Sequence, residues 1–433
     1  MQKYTLNALS ILIYLSYFLG FFFDENSIGS GGYNSDLTWI WNNFEIFKNY
    51  SLIEAIKSDQ FFGNRTPLLY ILNIIFNPYI DNIDHYRASI FFLSLSGPII
   101  FYLCLKDKFK NTDKNILFLI SSSLLLSPFY RTTAIWGMEI NYGIITSLIS
   151  IYFINKINYP TNIIQNKKIF FLIFFSSITI YFDQKLLIIP ILSFLTIIIK
   201  NSNIKVKILS VFFYLILAIP FIYLIYLWEG IVPKLTQLSN PNTITSIDRI
   251  SKLHFYNLGY ASTMIGFYLF PLIFFKNDIF ENMKIFFFEK KNYIFIFVPF
   301  LYLYTLNSNY DFKSYVVDNY WIGFGFIHKI SIIFFDKLIY QKIFTYVSII
   351  FSWWIICLVI EKRSRDLLIL IYFFLISLFL WPLMQEYFDP IIIIISLLLF
   401  KTKIYFNYNN SLFFTIYFSF FLIASNIYYL NIL

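Results

Sequence analysis

Residues 24–87 read DENSIGSGGYNSDLTWIWNNFEIFKNYSLIEAIKSDQFFGNRTPLLYILNIIFNPYIDNIDHYR. A hydrophobic run, about Thr5–Phe23, precedes this most polar segment near the start of the chain. The segment holds Asp24, Glu25, Asp36, Asp59, Arg65 and Arg87. Gly29-Ser30-Gly31-Gly32 marks a turn region. Ser35 or Asp36 can then cap a helix. From Asp36 to Asn49, the apolar Leu37, Ile40, Trp41, Phe44 and Phe47 fall on one face, and Asn42, Asn43, Glu45, Lys48 and Asn49 lie elsewhere. That spacing predicts an amphipathic helix on a membrane surface, with Trp39 and Trp41 at the interface. Leu52–Ile56 continues the theme. Thr66–Asn77, TPLLYILNIIFN, is bounded by Pro67 and Pro78 and is too short to cross easily. It is expected to be a shallow or re-entrant helix.

Outward from this segment the chain is mostly membrane. Its 433 residues are 58% hydrophobic and 13% charged, with mean hydropathy +0.67; soluble domains carry about 25% charged residues. The first span, near Thr5–Phe23, is followed by apolar runs near Ala88–Leu105, Ile116–Leu126, Ile140–Ile154, Ile169–Phe182, Leu186–Ile199 and Ile208–Trp228. Six more lie near Phe255–Phe275, Tyr293–Leu306, Phe344–Ile360, Leu367–Trp381, Ile391–Phe400 and Leu412–Leu430. The expected fold is an all-α polytopic membrane protein with about 11–13 transmembrane helices and surface helices in the loop at 24–86. Met1-Gln2-Lys3 leads into the first span without a small-residue cleavage site, so that span is expected to stay as an anchor. Cys104 and Cys357 fall near expected cytoplasmic span ends and imply no disulfide framework.

Charge sets the expected orientation. With the N-terminus in the cytoplasm, every second connection is basic: Lys106–Lys114, Lys156–Lys168, Lys200–Lys207, Lys276–Lys291, Lys362–Arg365 and Lys401–Lys403. Most acids, Asp24, Glu25, Asp36, Glu139 and Asp183 among them, then fall on the outer face. The net charge of +9 is thus spent on topology and argues against a nucleic-acid partner. The span interiors hold almost no charge, and no internal repeat is evident. A flippase or transporter would be expected to carry midplane charges or inverted repeats. No HExxH spacing and no Gly-rich phosphate loop is present. Asp36 suits a carboxylate that takes an acceptor proton or holds a metal, and equally a helix cap. Arg65 suits a lipid phosphate, and equally an interfacial arginine with its head in water.

The order of features over roughly residues 5–200 resembles the GT-C superfamily of polyprenyl-phosphate-sugar-dependent glycosyltransferases, closest to the protein O-mannosyltransferase and aminoarabinose-transferase-like group. Asp36 opens the amphipathic helix, and Arg65-Thr66-Pro67-Leu68-Leu69-Tyr70 follows about thirty residues later. Then come Arg87 entering the next span, the basic turn Lys106–Lys114, Leu126-Ser127-Pro128, and Arg131 to Glu139 as the outer turn with a second acid. Leu37 stands where the group has the second acid of a pair, and Thr66 where it has a first proline. Asp24-Glu25 is the alternative acidic pair.

The resemblance implies an enzyme, a hexosyl- or pentosyltransferase of the cell envelope. It would sit in the cell (inner) membrane with its active site on the outer, periplasmic face. Residues 1–228 would form the catalytic membrane module and 229–433 a variable one with outer loops 229–254 and 307–341. Donor would be a sugar on a polyprenyl phosphate, acceptor a glycan, lipid or protein, with a divalent metal (Mg or Mn) as a possible cofactor. Asp36 and Glu139 are the expected catalytic acids, with Asp24 and Glu25 as alternatives. Arg65, Arg87, Arg131 and Lys185 are the expected phosphate partners, stabilising the charge that develops on the leaving group. Lys185 could equally pair with Asp183. Tyr315, Tyr320, Trp321, Gln385, Glu386 and Tyr387 are expected to shape the acceptor site, although Tyr and Trp are common at any membrane interface. An O-antigen-type polymerase is the other transferase compatible with many spans. It would be expected to rely on arginines in large outer loops of the later half.

Overall fold

The computed structural model describes residues 2–29, 32–63, 65–157, 163–200, 203–230, 232–239, 253–276, 316–317, 320–321, 323–360, 364–380, 383–401 and 404–432. Nearly all of its regular structure is helical. The exception is a two-residue strand, Val316–Val317 (β1), paired antiparallel with Tyr320–Trp321 (β2). The chain divides into two compact units. One comprises Met1–Ser246 with Phe418–Asn431, the other Ile247–Tyr417.

Six helices among the described residues are long and apolar enough to cross a membrane. A seventh is added when Lys114–Leu126 and Pro128–Ile135, bent by 64°, count as one broken span. The chain is therefore an all-α, multi-pass membrane protein. Eleven to thirteen crossings were expected from hydropathy. Several of those runs fold as shorter helices: Ile140–Lys156 has 17 residues, Ile188–Lys200 has 13 and Ile391–Leu398 has 8. At 1.5 Å per residue the last two do not cover a hydrocarbon core of about 30 Å. The span expected near Tyr293–Leu306 lies outside the described residues.

In the first unit, α1 (Gln2–Phe22) is followed by a left-handed Asp24 (φ 54°) and a turn that reaches Gly32–Asn34. The surface helices come next: α2 (Asp36–Asn49), α3 (Leu52–Lys57) and α4 (Leu68–Phe76). Their bounds follow from local chemistry. Ser51 and Glu54 form a reciprocal capping box at the start of α3. Pro67 sits at the N-cap of α4, and Pro78 follows its C-cap Asn77. As an apolar helix too short to span, α4 is anchored through its polar residues. Asn43 Nδ2 donates to the Tyr70 hydroxyl at 2.8 Å, and the Tyr142 hydroxyl donates to Asn73 Oδ1 at 3.2 Å. Asn77 Nδ2 donates to Ser89 Oγ at 2.8 Å.

The helices that follow in this unit are α5 (Ile83–Ser94), α6 (Ser96–Lys108), α7 (Lys114–Ser122), α8 (Pro128–Ile135), α9 (Ile140–Lys156), α10 (Ile163–Phe182), α11 (Ile188–Lys200) and α12 (Ile204–Trp228). A six-residue α13 (Lys234–Ser239) follows. The break at Ser127-Pro128 has a plain cause. Proline cannot donate to the preceding turn, and Ser127 Oγ accepts from Tyr130 N at 3.0 Å, so the chain restarts as a new helix. Most of α12 faces outward, with Phe212, Leu215, Ile219, Ile222 and Tyr226 exposed, as suits a lipid-facing helix.

In the second unit, α14 (Asn257–Leu269) is the most enclosed helix of the six. Gly266 lets it approach α16 (Leu338–Val359) closely: a Cβ there would lie 2.8 Å from the Ser352 Cα. Asn257 Nδ2 donates to the carbonyls of Ser377 (2.9 Å) and Leu380 (2.5 Å), at the end of α17 (Ser364–Phe379). The unit also holds α15 (Gly325–Phe334) and α18 (Ile391–Leu398), and α19 (Tyr408–Ile432) begins in it.

Candidate active site

The loop between α3 and α4 is where the first unit gathers its charges, and its backbone is held from three elements. Asn43, on α2, donates to the Phe62 carbonyl at 2.6 Å and accepts from Phe62 N at 3.3 Å. Thr236, on α13, accepts from Gly63 N at 2.9 Å and donates to Gly63 O at 3.0 Å. Thr66 Oγ1 donates to the carbonyl of Tyr181, near the end of α10, at 2.5 Å.

Arg65 is thereby fixed next to two acids from distant parts of the chain. Its Nη1 donates to Glu139 Oε1 at 2.6 Å, and its Nε lies 4.0 Å from Asp183 Oδ1. Asp183 Oδ2 is in turn 3.9 Å from Lys185 Nζ. The four side chains are 5–18% exposed, shielded from bulk water but reachable. In such surroundings an ion pair at 4 Å is worth about 4 kcal/mol before desolvation. Burial, with Glu139 nearby, holds the Tyr70 hydroxyl above its ordinary 10.0, so it stays protonated beside the pair.

A second group forms where α1, α5 and α8 end or begin. Arg87 Nη2 donates to Asp24 Oδ1 at 2.5 Å and to the Phe21 carbonyl at 3.0 Å, and its Nε donates to the Ile135 carbonyl at 2.7 Å. Its guanidinium lies 4.4 Å from the Trp136 ring centre and 4.7 Å from that of Phe21. Arg131 is 2% exposed and fully committed. It donates from Nε to both Glu25 oxygens (2.9 and 3.0 Å) and from Nη2 to Glu25 Oε2. It also donates to the Ser16 carbonyl (2.7 Å) and the Leu125 carbonyl (3.2 Å). Ser27 ties the same turn to α8: its N donates to Thr132 Oγ1 at 3.1 Å, its Oγ donates to Pro128 O at 3.1 Å, and its Oγ also shares a 3.0 Å hydroxyl–hydroxyl hydrogen bond with Thr132 Oγ1.

The connection Trp136–Glu139 links the two groups. Arg87 holds the carbonyl just before it, and the Tyr86 hydroxyl donates to the Gly137 carbonyl at 2.5 Å. Gly137 is left-handed (φ 68°), and a Cβ there would lie 2.8 Å from Tyr86 Cε1. The glycine therefore lets the connection press against Tyr86 and deliver Glu139, the N-cap residue of α9, to Arg65.

The structure thus brings Arg65, Glu139 and Lys185 together around Asp183. It pairs Arg87 with Asp24 and Arg131 with Glu25. Asp36 is not the cap of α2: Ser35 holds that position, and Asp36 is the first residue of the helix, half-buried with Oδ2 shielded. Asn43 belongs to the buried face of α2, not to its polar one, because three steps from Ile40 return to the same side. That spacing was the available signal for its role. Thr236 and Trp136 carry no comparable signal in the sequence.

The residues expected to shape an acceptor site belong to the second unit. Gln385, Glu386 and Tyr387 form a half-buried 3-10 turn of the second unit, where Gln385 Oε1 accepts from Phe326 N at 3.0 Å. Tyr320 and Trp321 form β2, and Tyr315 lies outside the described residues. Residues 240–252 and 307–315 of the two expected outer loops also lie outside them. Among the described residues, no group of three or more His, Cys, Asp or Glu is arranged to hold a metal ion. Glu139 and Asp183 instead share the Arg65 guanidinium, a cation in the place a divalent ion would need between them. These residues do not fit a metal. Comparison of the chain with protein-family models, with curated proteins and with solved structures gives no match in any of the three.

Proposed function

We propose that the chain is a membrane glycosyltransferase of GT-C-like organisation that moves a sugar from a polyprenyl-phosphate donor to a glycan, lipid or protein acceptor. The observation that carries this is the Arg65–Glu139 pair with Asp183 and Lys185 beside it: acid and cation held together at helix ends, largely shielded from water. The alternation of basic connections supports placing this end at the outer face of the cell membrane, with the N-terminus inside.

In the proposed reaction the acceptor hydroxyl oxygen bonds to the anomeric carbon as the bond from that carbon to the phosphate oxygen breaks. The electron pair leaves with the phosphate, the hydroxyl proton passes to the Asp36 carboxylate, and the configuration inverts. Arg65 and Lys185 face the leaving phosphate and stabilise its growing charge. Glu139 orients the acceptor and holds Arg65. Arg87 and Arg131 serve the site through Asp24, Glu25 and the connection to Glu139, not by direct contact. No step requires a metal.

The test is glycan profiling of a deletion strain, complemented with wild type or with Asp36→Asn at matched membrane levels. Wild type restores a missing sugar and Asp36→Asn does not, if Asp36 is the base. Full restoration by Asp36→Asn removes Asp36 from the chemistry. No change of any glycan on deletion removes the transferase.

A further inference from the structure

Pro220 lies inside α12. It has no N–H to donate, and its ring crowds the carbonyl four residues back, so the next rung of the helix opens as well. That rung is Leu217 C=O to Phe221 N–H, the pair an unbroken helix would bond directly. In this protein the Tyr181 hydroxyl fills it. Phe221 N donates to Tyr181 Oη at 3.2 Å, and Tyr181 Oη donates to the Leu217 carbonyl. The two rings meet edge to face, 6.2 Å apart.

The other side of Tyr181 faces the charged site. Its carbonyl accepts from Thr66 Oγ1 at 2.5 Å, one residue from Arg65. Two residues on, Asp183 Oδ1 lies 4.0 Å from Arg65 Nε. One residue therefore repairs a proline-opened helix with its side chain and holds the Arg65 loop with its main chain.

We propose that Tyr181 is a positioning residue. Its hydroxyl pins the end of α10 to the open rung of α12, so that its carbonyl and Asp183 hold Thr66 and Arg65 in register. The pinning is independent of the reaction the site performs. It makes Pro220 part of the site's support: a straight α12 would close the rung and expel the hydroxyl.

Hydrogen–deuterium exchange of the full-length protein in detergent micelles tests this. In Tyr181→Phe, the Phe221 amide exchanges about tenfold faster, as loss of one net hydrogen bond implies, and the peptides spanning 65–70 and 183–190 also speed up. In Pro220→Ala the direct Leu217–Phe221 bond forms, so 217–222 stays slow while 65–70 and 183–190 still speed up. The peptides of α9 keep their rates in both variants. Wild-type rates at 65–70 and 183–190 in these variants would overturn the proposal and leave Tyr181 a patch on α12 alone. If Tyr181→Phe does not fold, Thr66→Val decides. Faster exchange at 65–70, reversed in Thr66→Ser, supports the pinning; no change overturns it.

Discussion

Arg65 Nη1 and Glu139 Oε1 meet at 2.6 Å across 74 residues of chain. The contact joins the loop before α4 to the N-cap of α9, and Asp183 Oδ1 lies 4.0 Å from the Nε of the same guanidinium. Replacing Glu139 by Gln keeps an acceptor for Arg65 and removes the charge. In a membrane assay of sugar transfer, Glu139→Gln is expected to lower the rate about tenfold, roughly the difference between a charged and a neutral hydrogen bond. Asp36→Asn is expected to lower it about 100-fold or more, as loss of a general base does. Equal rates for Glu139→Gln and wild type would show that the Glu139 charge takes no part in the transfer.

The Arg131–Glu25 pair is a strut. Its guanidinium is almost wholly enclosed, and Asn426 Nδ2 reaches the same glutamate at 3.3 Å. Arg131→Ala strands a buried charge and is expected to cost about 3–5 kcal/mol. Gly20→Ala attacks the pair from behind, since a Cβ there would lie 2.3 Å from Glu25 Oε2 and 2.6 Å from Arg131 Nη2. About 1–3 kcal/mol is expected for that overpacking. Thermal unfolding in detergent measures both. Combining Glu25→Ala with Arg131→Ala should cost less than the sum of the two, because neither charge is then left alone.

Asn43 frames Arg65 without touching it. Asn43→Ala leaves the Phe62 backbone groups without their side-chain partners and is expected to destabilise by about 1–3 kcal/mol. Faster amide exchange at Phe62, with α9 unchanged, is the local signature to look for. Unchanged exchange there would show that the Thr236 and Thr66 contacts hold the loop without Asn43.

The Asp81–His85 contact gives a pH dependence of known sign. His85 Nδ1 is 3.0 Å from both Asp81 oxygens, and this hydrogen bond holds the Asp81 carboxyl below its ordinary 3.8. A carboxyl with a depressed folded value contributes stability above its unfolded value and loses it as pH falls through the folded one. The window is therefore below about pH 4. Both groups are exposed, so the effect is small. His85→Ala should shift the Asp81 carboxyl resonance midpoint upward in an NMR titration and lower the melting temperature slightly at pH 7, with no difference from wild type once Asp81 is protonated.

Much of the first polar segment was legible because its signals are local. The apolar spacing over Asp36–Asn49, the prolines around TPLLYILNIIFN and the Ser127-Pro128 break each act within a turn or two, and α2, α4 and α8 begin close to where they indicate. Crossing number was less legible. Hydropathy counts apolar residues, whereas Ile188–Lys200 and Ile391–Leu398 are apolar yet too short as helices to cross. Asn43 shows the same limit within a single helix. An amide on a mostly apolar face reads as surface until its partner, the Phe62 backbone 19 residues on, is in place.

By itself the sequence determined that this is a helical membrane protein with a polar segment after its first span, because helix period, proline and hydropathy act over a few neighbouring residues. Only the tertiary structure decided which charges meet. Arg65 takes Glu139 across 74 residues, Arg87 takes Asp24 across 63 and Arg131 takes Glu25 across 106. Arginines and acids are alike along the chain, and nothing local tells one partner from another. Their pairing is set by which helix ends the packing of α1, α5, α8, α9 and α10 brings together. The Tyr181 hydroxyl in the Pro220 rung of α12 has the same origin: the proline opens the rung locally, and only the neighbouring helix can fill it.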